Sequence, residues 1–324
     1  MLRIGVLGAA KITANALFAP VADSSSAEVV AIAARSRSRA KAQAQEWSIP
    51  HVEDDYAAVI ARDDVGAIFV PLAINLHHEW TLAALAAGKH VLCEKPLASN
   101  AAQAQEMVDA AAAADRVLME AFHWRYHPIV ARMAELAGAI GGVMRVDAVF
   151  CAPIPETDEV RRSWELSGGA LMDLGCYPLQ WARFLVGEEP SNVSATMTPC
   201  TTAGRELVDE TSVIDLEFPG GASATLTTSM DRFEVNLRAE GPDGWFTVSN
   251  PLAPHRGHVV EYDLGAGPRQ ETVGGRSTYH HQLDAFIAAV EDGVVPLTGG
   301  VDSVATMTVI DEAYRSAGLP PRGT

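Results

Sequence analysis

Cysteine, positive charge and long apolar runs are all scarce in this chain. Its four cysteines, Cys93, Cys151, Cys176 and Cys200, stand far apart without a CxxC pair. That argues against a zinc knuckle or a small disulfide scaffold and makes reduced thiols the expectation. Only 24 lysines and arginines accompany 41 aspartates and glutamates, a formal net charge of −17. Phosphate backbones are bound by clustered cations, so no nucleic-acid partner is expected; an acidic surface mostly serves solubility. No apolar run reaches the length of a membrane span. The first strand-like run begins at Leu2, with no basic n-region and separate apolar h-region before it, so a cytoplasmic protein without membrane contact is expected. Internal repeats and low-complexity tails are also missing.

What remains is a chain of 324 residues, 48% hydrophobic and 20% charged, long enough for about two domains with sizeable cores. Its first third alternates short apolar runs (Leu2–Leu7, Val29–Ala34, Gly66–Leu72, His90–Cys93 and Val117–Phe122) with helix-like stretches. The clearest helix is Ala101–Ala114, with Asn100 as N-cap and Gln103 in a weak form of the capping box. Such alternation implies right-handed crossovers and a parallel sheet. After Phe122 the strand-like runs Val143–Phe150, Val193–Thr198, Val213–Phe218, Ala222–Thr228 and Trp245–Val248 are separated by turns such as ProGlyGly at 219–221 and GlyProAspGly at 241–244. The expectation is an α/β protein: a Rossmann dinucleotide-binding domain over 1–121, then an α+β domain over 122–324 with a large, mainly antiparallel open sheet. Helices are expected near Gln282–Glu291 and Val301–Ser316, the last packing back on the first domain.

The first run leads into Gly8-Ala9-Ala10-Lys11-Ile12-Thr13, where a dinucleotide fold carries G-x-G-x-x-G. Only the first glycine is present, and an ordinary strand-to-helix turn is an equal reading of these letters alone. The end of the second run says more. An NAD site usually places an acid there for the ribose 2′-hydroxyl, yet no acid stands between Val29 and Gln45, and Arg35-Ser36-Arg37-Ser38-Arg39-Ala40-Lys41 concentrates cations instead. A guanidinium and a serine hydroxyl suit a 2′-phosphate, so NADP is expected over NAD. Position selects Arg35 and Ser36, with Arg39 as a third contact; Arg37 and Lys41 read as the solvated start of a helix.

Residues 90–96 read HVLCEKP, which puts Lys95 at the mouth of the expected sheet, where a positive group can act on a carbonyl or alcohol. With IGVLGAAKI from Ile4, HHEWTLAALAAGKHVLCEKPLA from His77, EAFHWRYHP from Glu120, GGALMDLGCYPLQW from Gly168 and MTVIDEAYRSAG from Met307, the chain resembles the Gfo/Idh/MocA oxidoreductases over most of its length. Tyrosine at 177, where inositol dehydrogenases carry histidine, sets it nearer the branch holding dimeric dihydrodiol dehydrogenase and NADP-dependent xylose dehydrogenase.

The resemblance implies that Lys95, Asp173 and Tyr177 face the nicotinamide, with Tyr177 as general acid/base. An unperturbed phenol titrates near about pH 10, so the Lys95 ammonium is needed to favour the phenolate. Lys95 also hydrogen-bonds the developing alkoxide, or is itself the immediate proton donor; Asp173 orients substrate or Lys95. The backbone at Pro71 and Leu72 stays available to the cofactor, while Ile74 stands where the family commonly has asparagine, which follows as Asn75. Glu94 positions cofactor or loop, and Pro96 stiffens that loop. His77 either touches the cofactor or caps a helix. Arg125 is expected near the nicotinamide; Trp124, His127, Arg161 and Tyr279 are substrate-wall candidates. A metal site built from Glu120, His123 and His127 is not expected, because Pro128 disfavours helical geometry and no further ligands accompany them.

The implied function is hydride transfer between NADP and a ring carbon of a sugar or cyclic polyol, an aldose oxidised at C1 being the first choice. Trans-dihydrodiols, inositols and deoxysugar ketones are the alternatives, and a non-catalytic NADP-sensing regulator is the rival. A homodimer or homotetramer through the C-terminal sheet is implied if that sheet's outer face is exposed and apolar.

Overall fold

The computed structural model describes residues 1–157 and 160–324, and the chain forms two compact units. Unit 1 comprises residues 1–125 and 279–304; unit 2 comprises 126–278 and 305–324.

Unit 1 is built on six parallel strands: β1 (Leu2–Leu7), β2 (Ala27–Ala33), β3 (His51–Val52), β4 (Ala67–Val70), β5 (His90–Cys93) and β6 (Leu118–Glu120). Their order, β3-β2-β1-β4-β5-β6, is that of a doubly wound dinucleotide-binding sheet, whose switch point falls between β1 and β4. Every residue of β4 is buried, and β1 and β5 nearly so. Burial on both faces is why these strands read as continuous apolar runs without alternation. The helices α1 (Ala19–Ala22), α2 (Arg37–Glu46), α3 (Tyr56–Ile60), α4 (His77–Ala86) and α5 (Ala101–Ala114) punctuate the strands. At α5 the Asn100 side chain accepts the Gln103 N–H at 3.0 Å, while Gln103 Oε1 accepts the N–H of Ser99 at 3.3 Å, one residue outside a standard capping box.

Unit 2 carries α6 (Ile129–Ala139) and α7 (Cys176–Val186), with the strands β7 (Arg145–Cys151), β8 (Asn192–Pro199), β9 (Asp209–Glu217), β10 (Ser223–Ser229), β11 (Glu234–Gly241), β12 (Gly244–Val248), β13 (Val260–Asp263) and β14 (Arg269–Glu271). The sheet order is β14-β13-β12-β11-β7-β10-β9-β8. All pairs are antiparallel except β7–β10, which is parallel. GlyProAspGly closes the β11–β12 hairpin, with Gly241 paired to Gly244. One face buries Val146, Ala148, Ile214, Leu216, Leu226 and Leu237. The other is polar: Arg145 pairs with Asp147 at 2.6 Å, Thr225 donates to Asp215 at 2.7 Å, and Arg238 donates to Glu240 at 2.6 Å. The outer face expected to join subunits thus carries these polar pairs beside the partly exposed Val149 and Val213.

Two further helices follow, α8 (Thr278–Asp292) and α9 (Val301–Ser316). Among the described residues no helix is long and apolar enough to cross a membrane. All four cysteines are buried, and none forms a disulfide among the described residues.

Candidate active site

In unit 1 the turn after β1 begins at Gly8, whose φ of +111° lies where side-chain-bearing residues are strained. A Cβ there would stand 3.0 Å from Leu72 Cδ2. The next residues pass from buried Ala9 through half-buried Ala10 to exposed Lys11 and Ile12, and a π turn follows over Ala14–Phe18. Thr13 is fully buried, and its Oγ1 has no hydrogen-bond partner.

At the end of β2, Arg35 is exposed and Ser36 caps α2 by accepting the Arg39 N–H at 3.4 Å. Arg39 Nη2 crosses to the turn and donates to Ala9 O at 2.6 Å; Gln43 Nε2 donates to Ala10 O at 3.1 Å. Arg37 is directed elsewhere, bonded to Asp54 and to Glu53 O. These residues fit a nicotinamide dinucleotide: a turn opened by glycine, an unsatisfied buried hydroxyl beside it, and cations at the strand's end.

The ends of β4 and β5 are laced together by His77. Its Nδ1 lies 3.0 Å from Pro96 O and its Nε2 3.1 Å from Leu72 O. Burial, the largest influence, lowers the imidazole pKa to about 4 in spite of these carbonyls, so the ring is neutral and has one N–H to share between them. His77 thus ties the loop of Glu94, Lys95 and Pro96 to the backbone after Pro71, a role broader than the contact or cap foreseen for it. Glu94 and Lys95 are half-buried, Pro71 is buried, and the Lys95–Pro96 peptide is cis. The Oδ1 of Asn75 is buried without a partner.

The EAFHWRYHP segment places several polar side chains in buried positions. Glu120 is fully buried, takes the Ser303 hydroxyl on its carboxylate, and accepts Thr298 Oγ1 on its carbonyl at 2.6 Å. Trp124 is fully buried, with the Arg125 guanidinium 5.7 Å from its ring. His123 lies 4.1 Å from the Tyr279 ring. In unit 2, His127 is buried and its Nδ1 accepts the Ile129 N–H at 3.1 Å, capping α6. Among the described residues no group of three or more His, Cys, Asp or Glu could hold a metal ion. Burial also raises the Cys93 thiol well above its ordinary range, which makes it an inert core residue.

Unit 2 brings Asp173 and Tyr177 onto one helical segment, though not a simple α-helix. Leu171–Gly175 forms a π turn that runs directly into α7. Such turns recur at functional sites, and the wider five-residue hydrogen bonding still leaves residues four apart near one face. Asp173 is largely buried and lies 3.2 Å from Arg161 Nε. Tyr177 is 5% exposed, edge-on to Phe150 with centroids 5.5 Å apart. The adjacent Arg162 has the opposite fate: it is buried, and donates to Ile154 O at 2.8 Å and to Glu210 Oε1 at 3.0 Å. It anchors the segment from which Arg161 reaches Asp173. Nothing in the sequence separates the two arginines, and Arg162 was not foreseen.

The fold and these two sets of residues define a dinucleotide-dependent oxidoreductase. Residues 2–122 match the profile described as oxidoreductase family, NAD-binding Rossmann fold, and residues 129–247 match the GFO/IDH/MocA C-terminal domain. The chain is 36% identical over 322 residues to a D-xylose 1-dehydrogenase (NADP(+)) of Haloferax volcanii, covering 98% of this chain and 97% of that one. It is similar in structure to an aldose-aldose oxidoreductase from Caulobacter crescentus complexed with glycerol, with a TM-score of 0.91, 28% identity and coverage of 98% and 97%. A 3-ketoreductase from Actinomadura kijaniata in complex with NADP and TDP-benzene superposes with a TM-score of 0.89, at 28% identity and 97% coverage of both chains. The chain belongs to the Gfo/Idh/MocA oxidoreductase family.

Proposed function

We propose that the protein is an NADP-dependent oxidoreductase of sugars, oxidising an aldose of xylose type at C1. The observation that carries this is the joint presence of Lys95 after β5 and of Asp173 and Tyr177 on one helical segment. A protein that only sensed the cofactor would need the phosphate-binding turn and no proton carrier. Unit 1 is read as the cofactor domain and unit 2 as the substrate domain. NADP over NAD follows from the acid-free end of β2 with Arg35 and Arg39 beside it, and it agrees with the cofactor of the Haloferax relative.

Bound NADP supplies the hydride acceptor. With that acceptor bound, Tyr177 Oη would take the C1 hydroxyl proton as the aldose is oxidised to its lactone. The Tyr177 ring packs edge-on to Phe150 and beside Trp181. The Lys95 ammonium supplies a hydrogen bond to the developing alkoxide. Asp173, held by Arg161, accepts a hydrogen bond from a sugar hydroxyl and fixes the ring. A second reading, reduction of a nucleotide-linked keto sugar, runs the same proton path backwards and is favoured by the likeness to the 3-ketoreductase.

Residence in the cytoplasm suits four buried cysteines outside any disulfide. A homodimer or homotetramer would form through the outer face of the second sheet, where polar pairs stand beside Val149 and Val213. The direct test is aldose carrying deuterium at C1: deuterium recovered in the reduced nicotinamide supports the reading, and turnover without transfer of the label overturns it.

A further inference from the structure

Asp209, more than a hundred residues away in sequence, meets Tyr314 and Arg322 in unit 2 at the start of the segment that carries Asp173 and Tyr177. All three are fully buried. Asp209 Oδ1 accepts the Tyr314 hydroxyl at 2.8 Å and Arg322 Nη2 at 2.7 Å; Oδ2 accepts the Ser212 hydroxyl at 2.9 Å and the Leu171 N–H at 2.7 Å. The Leu171 amide is among the first donors of the π turn, which lack acceptors within their own helix. A carboxylate on β9 therefore caps this helix from a remote strand, at the end where negative charge is favoured.

Arg322 completes the arrangement from the short tail after α9. Its Nε donates to Gly168 O at 2.8 Å, and its guanidinium lies 4.2 Å from the ring centroids of both Trp164 and Tyr314. Gly169 has φ +137°, and a Cβ on it would stand 2.1 Å from Asp209 Oδ1, so the carboxylate can come this close only because the residue is glycine. Gly169 O accepts the Asp173 N–H at 3.0 Å, and the N–H groups of Gly168 and Gly169 donate to Ser163 O at 2.7 Å and Arg161 O at 2.9 Å. The knot, the glycine pair, Arg161 and Asp173 thus form one continuous hydrogen-bonded chain. A buried ion pair is weak evidence for stability, because apolar replacements of similar volume are often as stable; what this one does is fix geometry.

We propose that Asp209, Tyr314 and Arg322 are positioning residues of the reaction, setting where the 171–177 segment begins and hence where Asp173 and Tyr177 stand. The C-terminal tail is then part of the catalytic apparatus. The proposal rests on the assignment of Asp173 and Tyr177 to the chemistry.

Arg322→Met, Arg322→Lys and Tyr314→Phe test it in the full chain, assayed well below their melting temperatures. Phe246→Leu in β12 serves as a control for lost core packing, and Tyr177→Phe is measured alongside. Misplacement by about 1 Å can cost about 100-fold in rate, so kcat is expected to fall about 10-fold or more in Arg322→Met and about 3-fold in Tyr314→Phe, with partial recovery in Arg322→Lys. NADPH affinity by nicotinamide fluorescence should stay near wild type in all three, and Phe246→Leu should keep its kcat. If Arg322→Met does not fold, Tyr314→Phe decides, since it removes one hydroxyl and keeps the ring. Wild-type kcat in Tyr314→Phe and Arg322→Lys, with Tyr177→Phe inactive, would overturn the positioning role alone. Full activity of Tyr177→Phe would remove the catalytic reading and this proposal with it.

Discussion

Replacing His77 by asparagine should change how stability depends on pH as well as its level. In the folded state the imidazole pKa is lowered from 6.5 to about 4, chiefly by burial, whereas the unfolded chain takes up its proton around the ordinary value. The unfolded state therefore binds more protons between these limits, and stability is lost as pH falls from about 6.5 to about 4. At about 1.4 kcal/mol per pH unit the full loss is about 3 kcal/mol, of which about 2.5 kcal/mol falls between about pH 7.5 and 4.5. His77→Asn abolishes this titration while keeping a donor for Leu72 O or Pro96 O; at neutral pH it costs about 1–3 kcal/mol for imperfectly replaced buried hydrogen bonds. Two compact units need not unfold together, so exchange of the amide hydrogens of β4 and β5 is the appropriate probe of unit 1. The difference in opening free energy between wild type and variant should shrink toward acid. Parallel pH dependences would refute the reasoning, because carboxylate titrations are common to both proteins and cancel.

Tyr177→Phe removes the proton carrier and should lower kcat by about 100-fold or more with NADPH binding unchanged by fluorescence titration. The pair Arg35→Ala and Arg39→Ala should raise the KM for NADP by about 10-fold or more and leave that for NAD nearly untouched, since each good charge-assisted contact is worth about 1.5–3 kcal/mol; steady-state kinetics with both cofactors decides this. Arg161 is about half exposed, so Arg161→Ala should cost little stability in urea while raising the KM for the sugar through a less constrained Asp173. If the polar face of the second sheet joins subunits, light scattering should show an assembly that weakens as salt is raised.

The parallel sheet was legible because burial on both faces leaves apolar runs: Leu2–Leu7 and His90–Cys93 coincide with β1 and β5. Ala101–Ala114 was legible from its cap and Val301–Ser316 from its pattern. The two-residue β3 and the edge strands β13 and β14 were not, being too short or too exposed to leave a pattern. At the site, Lys95 could be placed because EKP directly follows a strand. The π turn at Leu171–Gly175 could not, since an α-helix carries the same letters. Arg161 and Arg162 differ only in which is buried. Asp209 and Arg322 stand 113 residues apart, and no local signal links them; only the adjacent glycines 168 and 169 hinted at a close approach there.

The central claim is best tested by following nicotinamide absorbance while the purified protein is incubated with NADP or NAD and a panel of aldoses, inositols and trans-diols, and with keto sugars plus NADPH. Reduction of NADP with pentose or hexose aldoses, and slow or no reduction of NAD, is the result this account predicts. Turnover with NAD alone would contradict the 2′-phosphate site at Arg35 and Arg39, and tight NADPH binding without turnover on any substrate would contradict the catalytic assignment of Lys95, Asp173 and Tyr177.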